Sequence, residues 1–299
     1  MRTICNPSIK LKETLDSKDY ADIKNLEQLC AKTDDLSLKL ELDFKINKKE
    51  PPHKTLQGIN ECMYYAQDTL IGYIGICQYL HNQIEVTGMV HPEYRRRGVF
   101  NRLFSLVSDE WKRRNEVAEM LLLADNRSPS GKEFIKHTGA HYANAEYEMF
   151  LKPTACPPKL RTPLIFRKAT NSDARNIAQQ NAVYFETDFH EADISFPEEQ
   201  EKDGIYIYLA ELDNRIIGKV QVEHFEGIGG IYGLGVLPEH RGKGYGKALL
   251  TFAITKLQED RVKDIKLQVL TENEKALTLY TSCGFETVST MNYYSITTF

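Results

Sequence analysis

The stretch LPEHRGKGYGKALL, residues 237–250, decides how the chain is read. Gly242, Gly244 and Gly246 alternate with Arg241, Lys243 and Tyr245, Lys247 follows, and an apolar helical pattern comes next. An imperfect copy, HPEYRRRGVFNRLF, occupies residues 91–104. A helix N-terminus offers about four unpaired backbone N–H groups and the positive end of a dipole. Glycines just before it let an anion approach the backbone closely. The loop is therefore suited to a pyrophosphate. A P-loop needs G-x-x-x-x-G-K-[ST], but Gly242 to Gly246 is one residue short and Ala248 stands where the hydroxyl belongs. A dinucleotide fingerprint needs G-x-G-x-x-G on a parallel unit, whereas here the spacing is G-x-G-x-G after hairpins.

Aligning the two loops aligns their surroundings, which marks an internal repeat. Two alternating, strand-like runs precede each loop. In the first half they are ECMYYA (61–66) and LIGYIGICQYL (70–80); in the second, IYIYLAEL (205–212) and IIGKVQVEHF (216–225). Turns are expected at Gln67-Asp68 and Asp213-Asn214. A third strand, IEVTGMV (84–90) or GIYGLGV (230–236), runs into the loop. The helix after it buries Val99, Leu103, Val107 and Trp111 in one copy, and Leu249, Phe252, Ala253 and Leu257 in the other. EMLLLA (119–124) and IKLQVL (265–270) follow as strands. Each copy closes with a short helix, a glycine and a last strand, GAHYANAEYEMFL or GFETVSTMNYYSI. DSKDYADIKNLEQLC (16–30) opens the first copy with a helix; LIFRKATNSDARNIAQQ (164–180) opens the second with a strand and a helix capped by Asn171 or Ser172. The expected organisation is two α+β domains, residues 1–152 and 164–299, joined by a proline-rich linker over 153–163.

Composition fits this reading. The 299 residues suit two domains, and 41% hydrophobic with 27% charged residues describes a globular chain. A net charge of −4 argues against wholesale binding to nucleic acid or an anionic membrane. No segment has the length of a transmembrane span, and the first residues lack a signal-peptide run, so a cytoplasmic protein is expected. The six cysteines show no C-x-x-C pair, and no metal site is expected.

The string V-x-P-x-x-R-G-x-G-x-G (Val236, Pro238, Arg241, Gly242, Gly244, Gly246) resembles motif A of the GNAT superfamily of acyl-CoA-dependent N-acetyltransferases. NEKALTLYTSCGF resembles its motif B through Asn273, Ala276, Tyr280, Gly284 and Phe285. The first half follows the same order with weaker motifs. The resemblance implies a tandem GNAT protein, each domain a mixed, mostly antiparallel sheet flanked by helices. It also implies acetyl-CoA in a V-shaped opening: the pantetheine arm against Leu234, Gly235 and Val236, the pyrophosphate on the amides from Arg241 to Lys247, Asn273 bonding the arm, and Ala276 and Tyr280 facing the thioester.

Acetyl transfer to an amine requires a neutral amine, a polarised carbonyl and a proton for the leaving thiolate. Backbone N–H groups near Leu234 and Val236 suit the second need and the Tyr280 phenol the third. For the first, many relatives carry a Glu where this chain has Gly229, Gly230 and Ile231. Glu223 and His224 are the candidates on the preceding strand, with attack through a water relay as the alternative. Glu186 and Asp188 lie in an acidic segment suited to a cationic small-molecule amine. A monomer or a homodimer is expected. In the first copy, Met89, Val90, Arg95, Arg96, Arg97, Gly98 and Val99 form a possible second cofactor site. Phe100 stands at its third glycine position, and Ile135 and Phe134 stand where Tyr280 falls in the second. That domain is expected to be non-catalytic; whether it binds CoA stays open on the residues alone.

Overall fold

A computed structural model describes residues 3–47, 58–80, 82–114, 117–155, 162–225 and 227–297. Most of the proline-rich linker, 156–161, lies outside them. The chain forms two compact units: Met1–Glu146 with Ser289–Phe299, and Tyr147–Val288.

Unit 1 begins with β1 (Pro7–Lys12), α1 (Ser17–Asp34) and α2 (Leu42–Asn47), then the antiparallel run β2 (Glu61–Ala66), β3 (Thr69–Leu80) and β4 (Gln83–Val90). Asp16 starts α1 through a capping box with Asp19. After β4 come α3 (Val99–Arg113), β5 (Glu119–Asp125), α4 (Pro129–Lys136) and β6 (His141–Leu151). One face of α3 buries Val99, Leu103, Val107 and Trp111 in the main core, as its periodicity predicts. The opposite face of the sheet is covered by α1, with Ile23 and Leu26 against Met63, Tyr73 and Met89.

Unit 2 repeats the order. β7 (Ile165–Lys168), α5 (Ala174–Phe185) and α6 (Pro197–Gln200) precede β8 (Ile205–Leu212), β9 (Arg215–Phe225) and β10 (Ile228–Val236). α7 (Tyr245–Glu259), β11 (Asp264–Leu270), α8 (Glu274–Ser282) and β12 (Phe285–Thr297) follow. The β8–β9 turn places Asp213 and Asn214 at φ +48° and +60°, the left-handed pair that a tight hairpin demands. Leu249, Ala253 and Leu257 are fully buried under the sheet, while Phe252 stacks on Phe166 at 4.5 Å. The entry to α5 differs from expectation. Thr170, not Asn171 or Ser172, makes the cap, with Asp173 closing the box, and Asn171 instead accepts the Glu198 N–H.

The ends of the repeats depart furthest from the sequence reading. Residues 289–297 of β12 belong to unit 1, where Met291 through Thr297 pair antiparallel with Asp125 through Glu119. Tyr147–Leu151 of β6 belong to unit 2, and β6 is the neighbour of β11. The expected boundaries at 152 and 164 therefore shift, and the last strand changes sides. The physical reason is that both closing strands carry the same alternation, so either satisfies the open edge of β5 or of β11. Among the described residues no helix is long and apolar enough to cross a membrane.

Candidate functional site

The site of unit 2 starts from a parallel pair that comes apart. β10 and β11 pair from Ile228↔Asp264 to Ile231↔Leu267 and no further, so the strands diverge beyond Ile231. On its other side β10 pairs with β9 through Tyr232↔Gln221, then slips and resumes at Gly235↔Lys219. Gly233 and Leu234 thus stand opposite Val220 alone, which is a β-bulge. Gly233 takes φ +50° there. Unit 1 opens the same way, with β4 and β5 paired only from Gln83↔Glu119 to Val86↔Leu122, but β4 stays in register with β3 from Cys77↔Glu85 to Gly72↔Val90. The bulge is the one residue by which β10, at nine, exceeds β4, at eight.

The glycine loop follows directly. Gly242 and Gly244 sit at φ +75° and +83°, and a Cβ at either would meet nothing within 4 Å. Their conformation, not crowding, requires glycine. Gly244 precedes α7, and no side chain caps that helix, so the N–H groups of its first turn, Tyr245 to Lys247, are left for a ligand. Gly246 has ordinary helical geometry, and its Cβ would lie 3.6 Å from Leu279 of α8. That close approach brings α8 beside the loop. Arg241 donates through Nε to the Val236 carbonyl at 2.8 Å, locking strand end to loop, and Lys243 donates to the Glu239 carbonyl at 3.1 Å. Arg95 makes the same bond to Val90 in unit 1 at 3.0 Å.

On α8, Tyr280 is nearly buried, its ring 6.1 Å from Phe285. Burial pushes its phenol up to about 12, so it holds its proton at neutral pH. Ala276 lies one turn earlier on the same face. Asn273 caps the helix, its Oδ1 accepting the Ala276 N–H at 3.1 Å, which leaves its amide N–H groups for a ligand.

β9 settles the parity of the two base candidates. Val220 and Val222 pack into the core with α7, so Lys219, Gln221 and Glu223 share the other face. Glu223 lies directly across from Gly230 and accepts from Gln221 Nε2 at 2.8 Å. His224 faces the opposite way and meets Asp260, just past α7, at 3.2 Å. It is not brought to the loop. Glu186 ends α5 at φ +54°, and both it and Asp188 are exposed. The neighbouring Glu191 is paired with Arg175.

Two residues of this face carried no signal in the sequence. Tyr184 of α5 lies against β10 so closely that a Cβ on Gly235 would come within 2.4 Å of its ring. Its hydroxyl donates to Gln180 at 2.7 Å. Lys219 is 2% exposed and donates to the Gly233 carbonyl at 3.1 Å. An alternating strand pattern gives no reason to bury a lysine.

Unit 1 has an open cleft of about 1000 Å³ between the diverging strands. Met89, Val90, Arg95, Arg96, Gly98 and Val99 all line it, whereas Arg97 does not. Arg96 stands where unit 2 has Gly242 and is held at φ +61°. Phe100 packs edge-on against Phe134 at 4.6 Å instead of filling the loop. Arg95 is held by Asp34 in a two-pronged ion pair. Ile135 is buried where α8 carries Tyr280, while Glu85 occupies the strand position of Gly230. Burial pushes Glu85 up to about 7, with Lys39 at 3.6 Å opposing the shift. Unit 1 thus has the carboxylate without the phenol, and unit 2 the phenol without that carboxylate.

Comparison with known proteins agrees with this geometry. Residues 172–285 match the model of the Acetyltransferase (GNAT) family. Over its whole length the chain is similar to mycothiol acetyltransferase of Stackebrandtia nassauensis, 24% identical with 96% of this chain and 98% of that protein covered. Mycothiol acetyltransferase of Streptomyces avermitilis is 39% identical, but over 85 residues, so the match spans only 28% of either chain. Among solved structures, a GCN5-related N-acetyltransferase from Sphaerobacter thermophilus superposes with a TM-score of 0.76 at 18% identity, covering 99% of this chain and 97% of that one. A tandem GNAT protein from the clavulanic acid biosynthesis pathway gives 0.75 at 16% identity, covering 98% of both. Residues 172–285 thus form a domain of the GNAT acetyltransferase family, the whole chain has the fold of a tandem GNAT structure, and the activity these matches support is that of an acyltransferase.

Proposed function

We propose that unit 2 transfers an acetyl group from acetyl-CoA to a primary amine of a small acceptor, and that unit 1 holds a CoA-type ligand without catalysis. The observation that carries this reading is the convergence, in unit 2, of diverging strands, an uncapped glycine loop and a buried neutral phenol. Acetyl-CoA supplies an activated thioester when bound. The chain does the rest. The amides from Arg241 to Lys247 hold the pyrophosphate, Asn273 donates to the pantetheine arm, and the bulge amides near Leu234 and Val236 stabilise developing negative charge on the carbonyl oxygen. Tyr280 delivers its proton to the departing sulfur.

Glu223 is the proton acceptor this reading favours, because it lies directly across from Gly230, against which the Tyr232 ring packs, on the sheet face opposite α7. Glu186 and Asp188, at the end of α5, attract a cationic amine. The mycothiol acetyltransferases support a small-molecule acceptor. For unit 1 the support is its cleft and the guanidinium groups of Arg95 and Arg96; Ile135 provides no proton.

Thiol release from acetyl-CoA, measured across polyamines, amino acids, aminoglycosides and peptides, tests the activity. No release with any amine refutes it. Replacing Gly244 by Val forces a β-branched residue into a left-handed conformation, and calorimetry should show acetyl-CoA binding weakened about tenfold or more. Unchanged binding refutes the phosphate role of the loop. Glu223→Gln should lower kcat roughly tenfold, a modest loss because water still relays protons; a smaller change removes Glu223 from the mechanism.

A further inference from the structure

A bulge carried by two glycines (Gly233, Gly235) around one leucine has little of its own to hold it. Glycine is the most freely rotating residue, so something outside the segment must fix its carbonyl directions. In unit 2 that contact is made by Lys219. Its Nζ donates to the Gly233 carbonyl at 3.1 Å, and a Cβ on Gly233 would sit 2.9 Å from the same nitrogen. The Tyr184 ring closes the other side, with its centroid 5.9 Å from Nζ. Among the described residues no carboxylate pairs with Lys219. Burial alone lowers it to about 8, so the lysine stands where its charge is opposed rather than balanced.

The molecule contains its own control. Tyr73 of β3 occupies in unit 1 the place of Lys219, opposite Met89 as Lys219 is opposite Gly235. The Tyr73 hydroxyl is engaged by Glu61 and Lys45, with nothing directed at β4, and β4 keeps its register with β3 from Glu85 to Val90. Beside the lysine the strand bulges; beside the tyrosine it stays in register.

We propose that Lys219 is a positioning residue for acetyl transfer in unit 2, pinning the Gly233 carbonyl so that the bulge presents the Leu234 amide in one fixed direction. The link is the peptide plane. The Gly233 C=O and the Leu234 N–H belong to one trans peptide and point oppositely. A carbonyl held on the Lys219 ammonium therefore fixes the direction of the Leu234 amide as well. The inference rests on the reading of unit 2 as the catalytic unit, but the pinning itself is measurable without turnover.

The test uses the full chain with Lys219→Met, which keeps the apolar stem and removes the donor, and Lys219→Arg, which keeps a donor. Hydrogen exchange of the peptide 228–237 should quicken about tenfold in the Met variant and recover in the Arg variant. The melting temperature of the Met variant should be unchanged or higher, because an apolar group replaces a buried amine. With an accepted amine, its kcat should fall about 30-fold while the KM for acetyl-CoA stays within about threefold, as displacement of a contact by a fraction of an ångström predicts. Unchanged exchange in the Met variant overturns the pinning. Faster exchange with kcat unchanged overturns the positioning role. If the wild type releases no thiol with any amine, the catalytic reading fails, and the exchange result alone still decides whether Lys219 holds the bulge. Should the Met variant not fold, Lys219→Leu, which also lacks a donor, is judged by the same exchange criterion.

Discussion

Ending the chain at Val288 is expected to unfold much of unit 1. Residues 289–297 supply the strand beside β5, and Met291 and Tyr293 are buried there with Leu121 and Leu123. Burying two such side chains is worth about 3–6 kcal/mol, against a total stability of about 5–15 kcal/mol for an ordinary domain. The loss has a polar component as well. The Tyr293 hydroxyl meets Lys39 at 2.6 Å and Glu146, and Lys39 also pairs with Glu85. Removing the phenol leaves those buried groups short of a partner, which adds to the cost. Met291 also lines the cleft of unit 1, so any ligand held there should be lost. Hydrogen exchange reports the outcome: the peptide 119–125 should lose its protection in the shortened chain. Full protection of β5 without residues 289–299 would show that the terminal strand is dispensable. A fragment of residues 1–153 is subject to the same argument, because it lacks this strand too.

Tyr280→Phe is expected to lower kcat by about 10²–10³-fold while leaving the acetyl-CoA affinity within about threefold, as removal of a single proton donor predicts. The ring is retained, so packing against Phe285 and the α8 core is unchanged. Only the hydroxyl goes, and burial keeps that hydroxyl protonated in the wild type. A thiolate leaving group then departs without its proton, which raises the barrier to the chemical step and hardly alters the binding of a neutral ground state. The ratio of the two parameters is the diagnostic quantity. Loss of affinity in step with kcat would make Tyr280 a binding residue, and an unchanged kcat would take it out of the reaction. The amine concentration must saturate each variant, so that kcat reports chemistry and not acceptor capture.

The repeated order of strands and helices was legible because alternation and helical periodicity are local. So was the loop, whose glycines answer to backbone conformation: Gly242 and Gly244 do sit at positive φ. Gly246 does not, and its appeal in the motif came from spacing alone. The strand exchange was not legible. GAHYANAEYEMFL and GFETVSTMNYYSI read alike, and alternation specifies a face but not a partner. The bulge was hidden for a related reason: an extra residue shows only once β9 supplies the register. Lys219 was missed because a lysine in an alternating run reads as solvated, and only the covering Tyr184 makes it buried. His224 and Glu223 were adjacent candidates in sequence, and the packing of Val220 and Val222 under α7 separated them.

The exchanged strand also sets a timetable for synthesis. Ser295 bonds Glu119 across 176 residues of sequence. At about 5–20 residues per second, a ribosome needs roughly 10–35 s to supply the partner after β5 has been made. During that interval the apolar run MLLLA waits with one row of backbone groups unpaired, a template for any other nascent strand. The first half of the chain therefore emerges early and finishes late. Slow decoding near the C-terminus, or crowding of ribosomes on one message, should favour misjoined chains over correctly closed ones, and a chaperone that shields β5 during the wait should raise the yield.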